Sequence, residues 1–309
     1  MQLPPQVELS ATSLEVIARD FGIQGEQVTR MSDSGIFNAI YRLGDHSLLR
    51  VPRNHPAQFE ALEREAFIVP RARAAGIRTP ELLRYDPSRK LLPAPYAVFE
   101  LIGGTTLEPG AGHPMITNAD AWSELGRDLA ILHTKMAEEG LRTGEEIPEA
   151  TELLAQRGRE GWLSDLDVEW LADWLERLTG AAGEPHICAT HGDIQATNVL
   201  VDDTGAYRAL IDWGSAKQDD PACDFAGVPL RVVPPMLSGY QTAGGGASGM
   251  AARIVRRHLQ LSLLFLPRGA VPSQSWAERP LPMLLEALHF FADPPLGWED
   301  LGPVSPVSE

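Results

Sequence analysis

Cysteine is almost absent from this chain: Cys188 and Cys223 are the only two among 309 residues. That is too few for a disulfide framework and suits a reducing cytoplasm. Neither has partners at zinc-ligand spacing. Long apolar runs are missing too. The best stretch, residues 259–266, is broken by Gln260 and Ser262, so no segment reads as a membrane span. The start, Met1-Gln2-Leu3-Pro4-Pro5, lacks the basic residues and apolar core of a signal peptide. Positive charge is scarce, with 26 Lys and Arg against 42 Asp and Glu, a net charge of −16. Such a surface repels nucleic acid.

What is present is an ordinary globular composition, 44% hydrophobic and 22% charged, long enough for one two-lobed unit or two domains. No internal repeat is visible. Gly244-Gly245-Gly246 reads as a short flexible joint, and residues 303–309 as a frayed tail. Acidic residues crowd between Glu138 and Glu176, twelve against Arg142, Arg157 and Arg159. A solvated helix face explains such a run, and so does a field that draws in a cationic small molecule.

Residues 28–53 carry strand signals, with a hairpin across Gly44-Asp45. Residues 59–75 are helical in composition, and Pro70 predicts a kink or an early end. Residues 80–83 and 96–101 read as short strands. Gly103-Gly104 breaks the pattern and sets the expected boundary between lobes at residues 1–102 and 103–309. Beyond it, Trp122, Leu125, Leu129, Leu132 and Met136 mark one face of a helix, and Leu163, Leu166, Trp170, Trp174 and Leu178 a second. Two short strands flank Gly205, and helices return over 251–266 and 281–291. The order predicts an α+β chain with a small β-rich lobe carrying one helix, a hinge, and a larger helical lobe. A nucleotide fits a cleft between such lobes.

The chemistry concentrates in His191-Gly192-Asp193, Asn198 and Ile211-Asp212-Trp213. An Asp, an Asn five residues on and an Asp after a second apolar run suit metal-assisted phosphoryl transfer. Asp193 orients the attacking hydroxyl and takes its proton. Asn198 and Asp212 supply oxygens to Mg²⁺ on the nucleotide phosphates.

With Asp220-Pro221 and Asp224 added, these motifs resemble those of the aminoglycoside phosphotransferase family, across residues 30–265. The resemblance implies a bilobal protein-kinase-like fold, ATP or GTP as phosphate donor and Mg²⁺ as cofactor. It gives His191 and Asp224 supporting roles, orienting and bracing the loop. It places Arg50 at the phosphate-gripping position, where Lys is commoner, with Glu65 or failing that Glu63 as partner. The nucleotide loop becomes residues 32–38, including Ser34, without the three glycines of protein kinases. Phe99, Glu100 and Leu101 fall at the hinge, their backbone groups facing the purine. Gln195 and Thr197 depart from the frequent His and Gly. Arg50 is shared with macrolide kinases, whereas Asn198 is commonly His in those enzymes.

The implied acceptor is a small-molecule hydroxyl, most simply an aminoglycoside-type antibiotic, cationic if the acidic run faces it. A macrolide, an amino alcohol or a sugar are the alternatives. An inactive nucleotide-binding regulator is disfavoured by the retained Asp193, Asn198 and Asp212. A protein kinase is disfavoured by the missing glycine loop and the missing Ala-Pro-Glu anchor.

Overall fold

The apolar run on either side of Gly44 folds into the expected hairpin. In the computed structural model, which describes residues 4–24, 27–31, 37–107, 118–136, 140–144, 147–246, 248–269 and 280–304, β2 (Asn38–Leu43) pairs antiparallel with β3 (Ser47–Pro52), with Ile40 opposite Arg50. β1 (Val28–Arg30), β4 (Leu82–Asp86) and β5 (Tyr96–Glu100) complete a five-stranded sheet in the order β1-β2-β3-β5-β4.

The period of two along β3 decides which residues reach the cleft. Leu49 and Val51 join Tyr96, Val98 and Ile17 in a small core on one face. Arg50 therefore projects to the other face, where its neighbour Ala97 and Phe99 join the main core. Ile17 belongs to α1 (Ala11–Asp20), a second small-lobe helix beyond the single one expected. Its signals are the Ser10 cap, which accepts from Ser13 N, and Leu14, Ile17 and Ala18 at helical spacing.

The helix expected at 59–75 is longer. α2 (Pro56–Ala75) starts with His55 as cap and Pro56 in its first turn, and ends at Gly76 with φ 97°. It also runs through Pro70 without stopping there. Proline removes one intrahelical bond, and the buried residues Leu62, Ile68, Val69 and Ala72 anchor both halves of the helix.

The larger lobe is built from α3 (Ala119–Lys135), α4 (Ala150–Arg159), α5 (Asp165–Ala182), α6 (Val233–Thr242), α7 (Met250–Phe265) and α8 (Pro280–Ala292). On α3, Trp122, Leu125, Leu129 and Leu132 are buried as their spacing predicts. On α5 the stripe is shifted: Leu166 is 78% exposed, and Leu171, Trp174, Leu175 and Leu178 face the core. Leu166 lies in the first turn, next to the Ser164–Asp167 capping box, where the helix end faces water. The tail is tied down at least to Val304. Trp170, Trp174 and Arg177 of α5 donate to the carbonyls of Val304, Leu301 and Gly302. In the glycine triplet, Gly245 is packed, because the Tyr240 ring fills the space its Cβ would need, while Gly244 and Gly246 face open space.

α3 and α6 cross through glycine. A Cβ on Gly126 would fall on the Met236 carbonyl, and one on Gly239 on the Ser123 carbonyl. Backbone cannot rotate aside as a flexible side chain can. Gly126→Ala is expected to destabilise the protein by about 2–3 kcal/mol despite alanine's better helix propensity. Thermal unfolding reads this as a Tm lower by about 3–5 °C; a wild-type Tm would mean that the helices do not approach this closely.

The segment after the hinge returns to the functional hairpin. β6 (Thr105–Thr106), β8 (Val199–Val201) and β9 (Tyr207–Leu210) form a three-stranded sheet, and β7 (Cys188–Thr190) pairs with β10 (Lys217–Asp219). Gly104, at φ 139°, passes so close to the Val201 carbonyl that a side chain has no room. The Gly-Gly break read from sequence is thus also a packing requirement.

Candidate active site

β7 ends at Thr190 and delivers His191, Gly192 and Asp193 into a loop fixed from below by Asp224. The Asp224 carboxylate is fully buried. It accepts from the His191 and Gly192 backbone N–H groups, both at 2.8 Å, and from His133 Nε2 at 3.0 Å. Burial works against its charge, yet these donors hold the carboxyl below its ordinary range. Gly192 has φ 80°, and the Ser215 carbonyl occupies the place of a Cβ. The loop and the turn after β9 are therefore pressed backbone to backbone.

His191 supports the same junction. Its Nδ1 accepts from Asp193 N at 3.3 Å, so Nε2 carries the proton and donates to the Ile211 carbonyl at 3.2 Å. Its ring meets Trp213 edge-on, with centroids 4.7 Å apart. With both nitrogens engaged in backbone bonds, His191 is not placed to take a proton from a substrate.

Asp193 is partly buried and held on both sides. Gln195 Nε2 donates to Oδ1 at 2.6 Å, and Asn198 Nδ2 donates to the Asp193 carbonyl at 2.9 Å and to Oδ2 at 3.4 Å. Burial raises the Asp193 carboxyl above its usual range, and the charge of Asp212 adds to the rise. Asn198 packs at the end of a 3-10 turn, Ala196–Asn198. Its Nδ2 is committed to Asp193, which leaves Oδ1 as the oxygen suited to a hard cation.

Asp212 sits in the left-handed region at φ 69° and ψ 61°, a conformation costing about 1–3 kcal/mol for a residue other than glycine. Its two chain neighbours hold it there. Ile211 N donates to the Asn198 carbonyl at 2.9 Å, which ties the turn directly to the loop that carries Asp193. Trp213 N donates to Glu65 Oε1 at 3.3 Å. Trp213 is also fully buried, and its Nε1 donates to Thr79 Oγ1 at 2.9 Å. Gly214 lies against Ala61 of α2, and Arg64 donates to its carbonyl at 2.7 Å.

Arg50 joins the two lobes. Its Nη1 donates to both oxygens of Glu65, at 2.8 and 2.7 Å, and its Nη2 to Asp212 Oδ1 at 2.6 Å. With its amide turned so that oxygen faces the guanidinium, Asn38 on β2 accepts from Nη2 and Nε at 2.9 and 3.0 Å. Glu65 is buried on the core-facing stripe of α2, beside Leu62 and Ile68. Burial pushes its carboxyl up to about 7, and the Asp212 charge adds to this against the pull of Arg50. For Asp212, burial acts upward, but Arg50 outweighs it and the carboxyl falls below its usual range. Burial disfavours the Arg50 charge, and the two carboxylates more than restore it. One cation thus serves two acids, and a divalent cation would find surplus negative charge here.

The structure therefore brings Asp193, Asn198, Asp212, Arg50, Glu65, His191 and Asp224 into one continuous network. Other expected positions fare differently. Ser34 and most of the expected nucleotide loop lie outside the described residues. At the hinge, Glu100 N is bonded to the Glu81 carbonyl and Leu101 N to the His46 carbonyl, while the Phe99 side chain is buried in the main core. Those two N–H groups are already used, so a purine would meet carbonyl oxygens or the backbone from Ile102 onward. Sequence reading missed Arg64, His133 and Tyr240, and it gave Asn38 a place in the nucleotide loop without its contact to Arg50. His133 had a signal, a histidine on the apolar face of α3; its Nδ1 meets the Tyr240 hydroxyl at 3.2 Å.

The donor set fits Mg²⁺. Asn198 and Asp212 offer oxygen alone, and no group of three or more His, Cys, Asp or Glu gathers for a metal among the described residues. A hard cation that takes its other ligands from phosphate and water needs no such cage.

A model of the phosphotransferase enzyme family matches residues 29–253, which include every described residue of this network. The chain belongs to that family. It is a phosphotransferase with the two-lobed kinase-like fold. A comparison with curated proteins finds no match. Solved structures do match. A macrolide 2'-phosphotransferase from Brachybacterium faecium is 20% identical with a TM-score of 0.61, covering 92% of this chain and 98% of its own. A choline/ethanolamine kinase family protein from Mesorhizobium loti is 20% identical with a TM-score of 0.60, covering 94% and 96%. The GDP complex of aminoglycoside 2'-phosphotransferase-IIIa is 17% identical with a TM-score of 0.59, covering 90% and 98%. At these identities the likeness is one of fold. No helix among the described residues of the phosphotransferase is long and apolar enough to cross a membrane.

Proposed function

We propose that this phosphotransferase moves the γ-phosphate of ATP or GTP to a hydroxyl of an aminoglycoside-type antibiotic, in the cytoplasm and with Mg²⁺ as cofactor. The observation that carries the reading is a chain of contacts: Asp212 meets Arg50 of the Arg50–Glu65 pair, Ile211 N beside it binds the Asn198 carbonyl, and Asn198 in turn binds Asp193. In this reading residues 1–102 bind the nucleotide and residues 103–309 carry the catalytic loop and the acceptor.

Asp193 is the catalytic carboxylate. It accepts a hydrogen bond from the acceptor hydroxyl and takes its proton as the new bond to phosphorus forms. Arg50, backed by Glu65, grips the nucleotide phosphates through its planar fork. Asn198 and Asp212 would hold Mg²⁺, which would neutralise charge on the phosphate oxygens. His191 and Asp224 keep the loop in place. A macrolide acceptor is the second reading, favoured by Leu49-Arg50-Val51-Pro52-Arg53, a sequence similar to that of macrolide kinases.

The acidic run bears on this choice less than its charge suggests. Glu149 pairs with Arg256 and Glu160 with Arg157. Asp167 caps α5, while Asp165, Glu169, Asp173 and Glu176 are exposed to solvent. An exposed field still steers a polycation, and salt screens it over about 8–10 Å. The test is NTP consumption with ATP and GTP against aminoglycosides, macrolides and amino alcohols. An aminoglycoside should be phosphorylated, with an acceptor KM that rises several-fold from low to physiological salt while the nucleotide KM changes less. Turnover of macrolides alone would overturn the aminoglycoside assignment, and no turnover of any acceptor would overturn the proposed reaction.

A further inference from the structure

We infer that Gln195 is a positioning residue for phosphoryl transfer: its side-chain amide clamps Oδ1 of Asp193 so that Oδ2 is presented to the acceptor hydroxyl. The inference rests on Asp193 being the catalytic carboxylate. The Gln195 Nε2 to Asp193 Oδ1 distance is 2.6 Å, a short contact in keeping with a neutral donor drawn to a carboxylate. Only one amide orientation is possible, because the carbonyl end of Gln195 would repel a carboxylate. Asp193 Oδ2 meets Asn198 only at 3.4 Å, which leaves it the less committed oxygen. Without a donor on Oδ1 the carboxylate can rotate about its Cβ–Cγ bond, and the longer contact to Asn198 is left to restrain it.

The backbone gives Gln195 little freedom to do anything else. It caps the 3-10 turn in an extended conformation, with φ −135° and ψ 157°. Its carbonyl accepts from Asn198 N at 2.9 Å. Gly227 runs alongside: a Cβ there would strike the Ile194 carbonyl and come within 3.7 Å of Gln195 Cγ. One residue thus sets the spacing of Asp193 and Asn198 through its main chain and the aim of Asp193 through its amide. Substitution tests the second role alone. Misaim of a reacting group by about 1 Å costs up to about 10²-fold in rate.

The test compares Gln195→Met, Gln195→His and Asp193→Asn on the best acceptor from the panel. Methionine keeps the length and removes the donor; histidine restores a ring N–H. Gln195→Met should lower kcat by about tenfold or more, with both KM values and the affinity for Mg²⁺–nucleotide within about twofold of wild type. Gln195→His should recover most of that loss, which a packing role would not predict. Wild-type kcat in Gln195→Met overturns the inference. So does a raised acceptor KM at unchanged kcat, since Gln195 would then bind the acceptor. If Gln195→Met unfolds, the His variant decides: near-normal turnover supports the clamp, and loss equal to the Asp193 variant overturns it. Activity retained in Asp193→Asn is a separate failure, that of the catalytic assignment.

Discussion

Asp193→Ala should lower phosphoryl transfer by about 10² to 10⁴-fold, the usual scale for a positioned acid–base group. Nucleotide binding should survive, because the Arg50–Glu65–Asp212 contacts do not pass through the Asp193 side chain. The fold should survive as well. The loop is braced mainly through the buried Asp224, which accepts from the backbone of His191 and Gly192. Truncation also removes a carboxyl whose charge burial disfavours, which offsets the loss of its bonds to Gln195 and Asn198. Circular dichroism and nucleotide titration on the purified variant separate folding and binding from turnover. A variant that is folded, binds nucleotide and still turns over at the wild-type rate would remove Asp193 from the mechanism.

Asp212→Asn should separate two kinds of nucleotide binding. An amide is a weaker ligand for Mg²⁺ than a carboxylate, so affinity for Mg²⁺–nucleotide should fall by about ten- to a hundredfold, as for other changes at metal sites. Metal-free nucleotide should bind about as well as before or more tightly. Arg50 now divides its guanidinium between Glu65 and Asp212, and removing the second charge leaves more of its positive charge uncompensated for phosphate. Asparagine also tolerates the left-handed backbone at this position, φ 69°, better than most residues do. The substitution therefore tests charge with little added strain. Titrations with and without Mg²⁺ decide the matter; equal losses in both would mean that Asp212 is no metal ligand.

The parts of the protein legible in the sequence are those set by local pattern. Glycine at 44 between apolar runs made the hairpin readable, and the spacing of Trp122, Leu125, Leu129 and Leu132 made α3 readable. The spacing of Asp193, Asn198 and Asp212 marked residues that the fold gathers, because a loop and a turn joined by a short hairpin must lie together. Once residues 47–52 form a strand, its period of two sets Arg50 on the face opposite Leu49 and Val51.

Tertiary structure decided what depends on contacts distant in sequence. That Arg50 reaches Asp212 as well as Glu65 follows from α2 docking on the turn through Ala61, Arg64 and Gly214, and no short-range pattern encodes it. His133 reaches Asp224 only because α3 passes beneath the loop of Asp193. The continuity of α2 through Pro70 was a tertiary outcome too, since packing of Ile68, Val69 and Ala72 outweighs one lost backbone bond. The acidic run shows the same division. Composition determined its net charge, but capping by Asp167 and the pairing of Glu149 with Arg256 came from where folding placed each carboxylate.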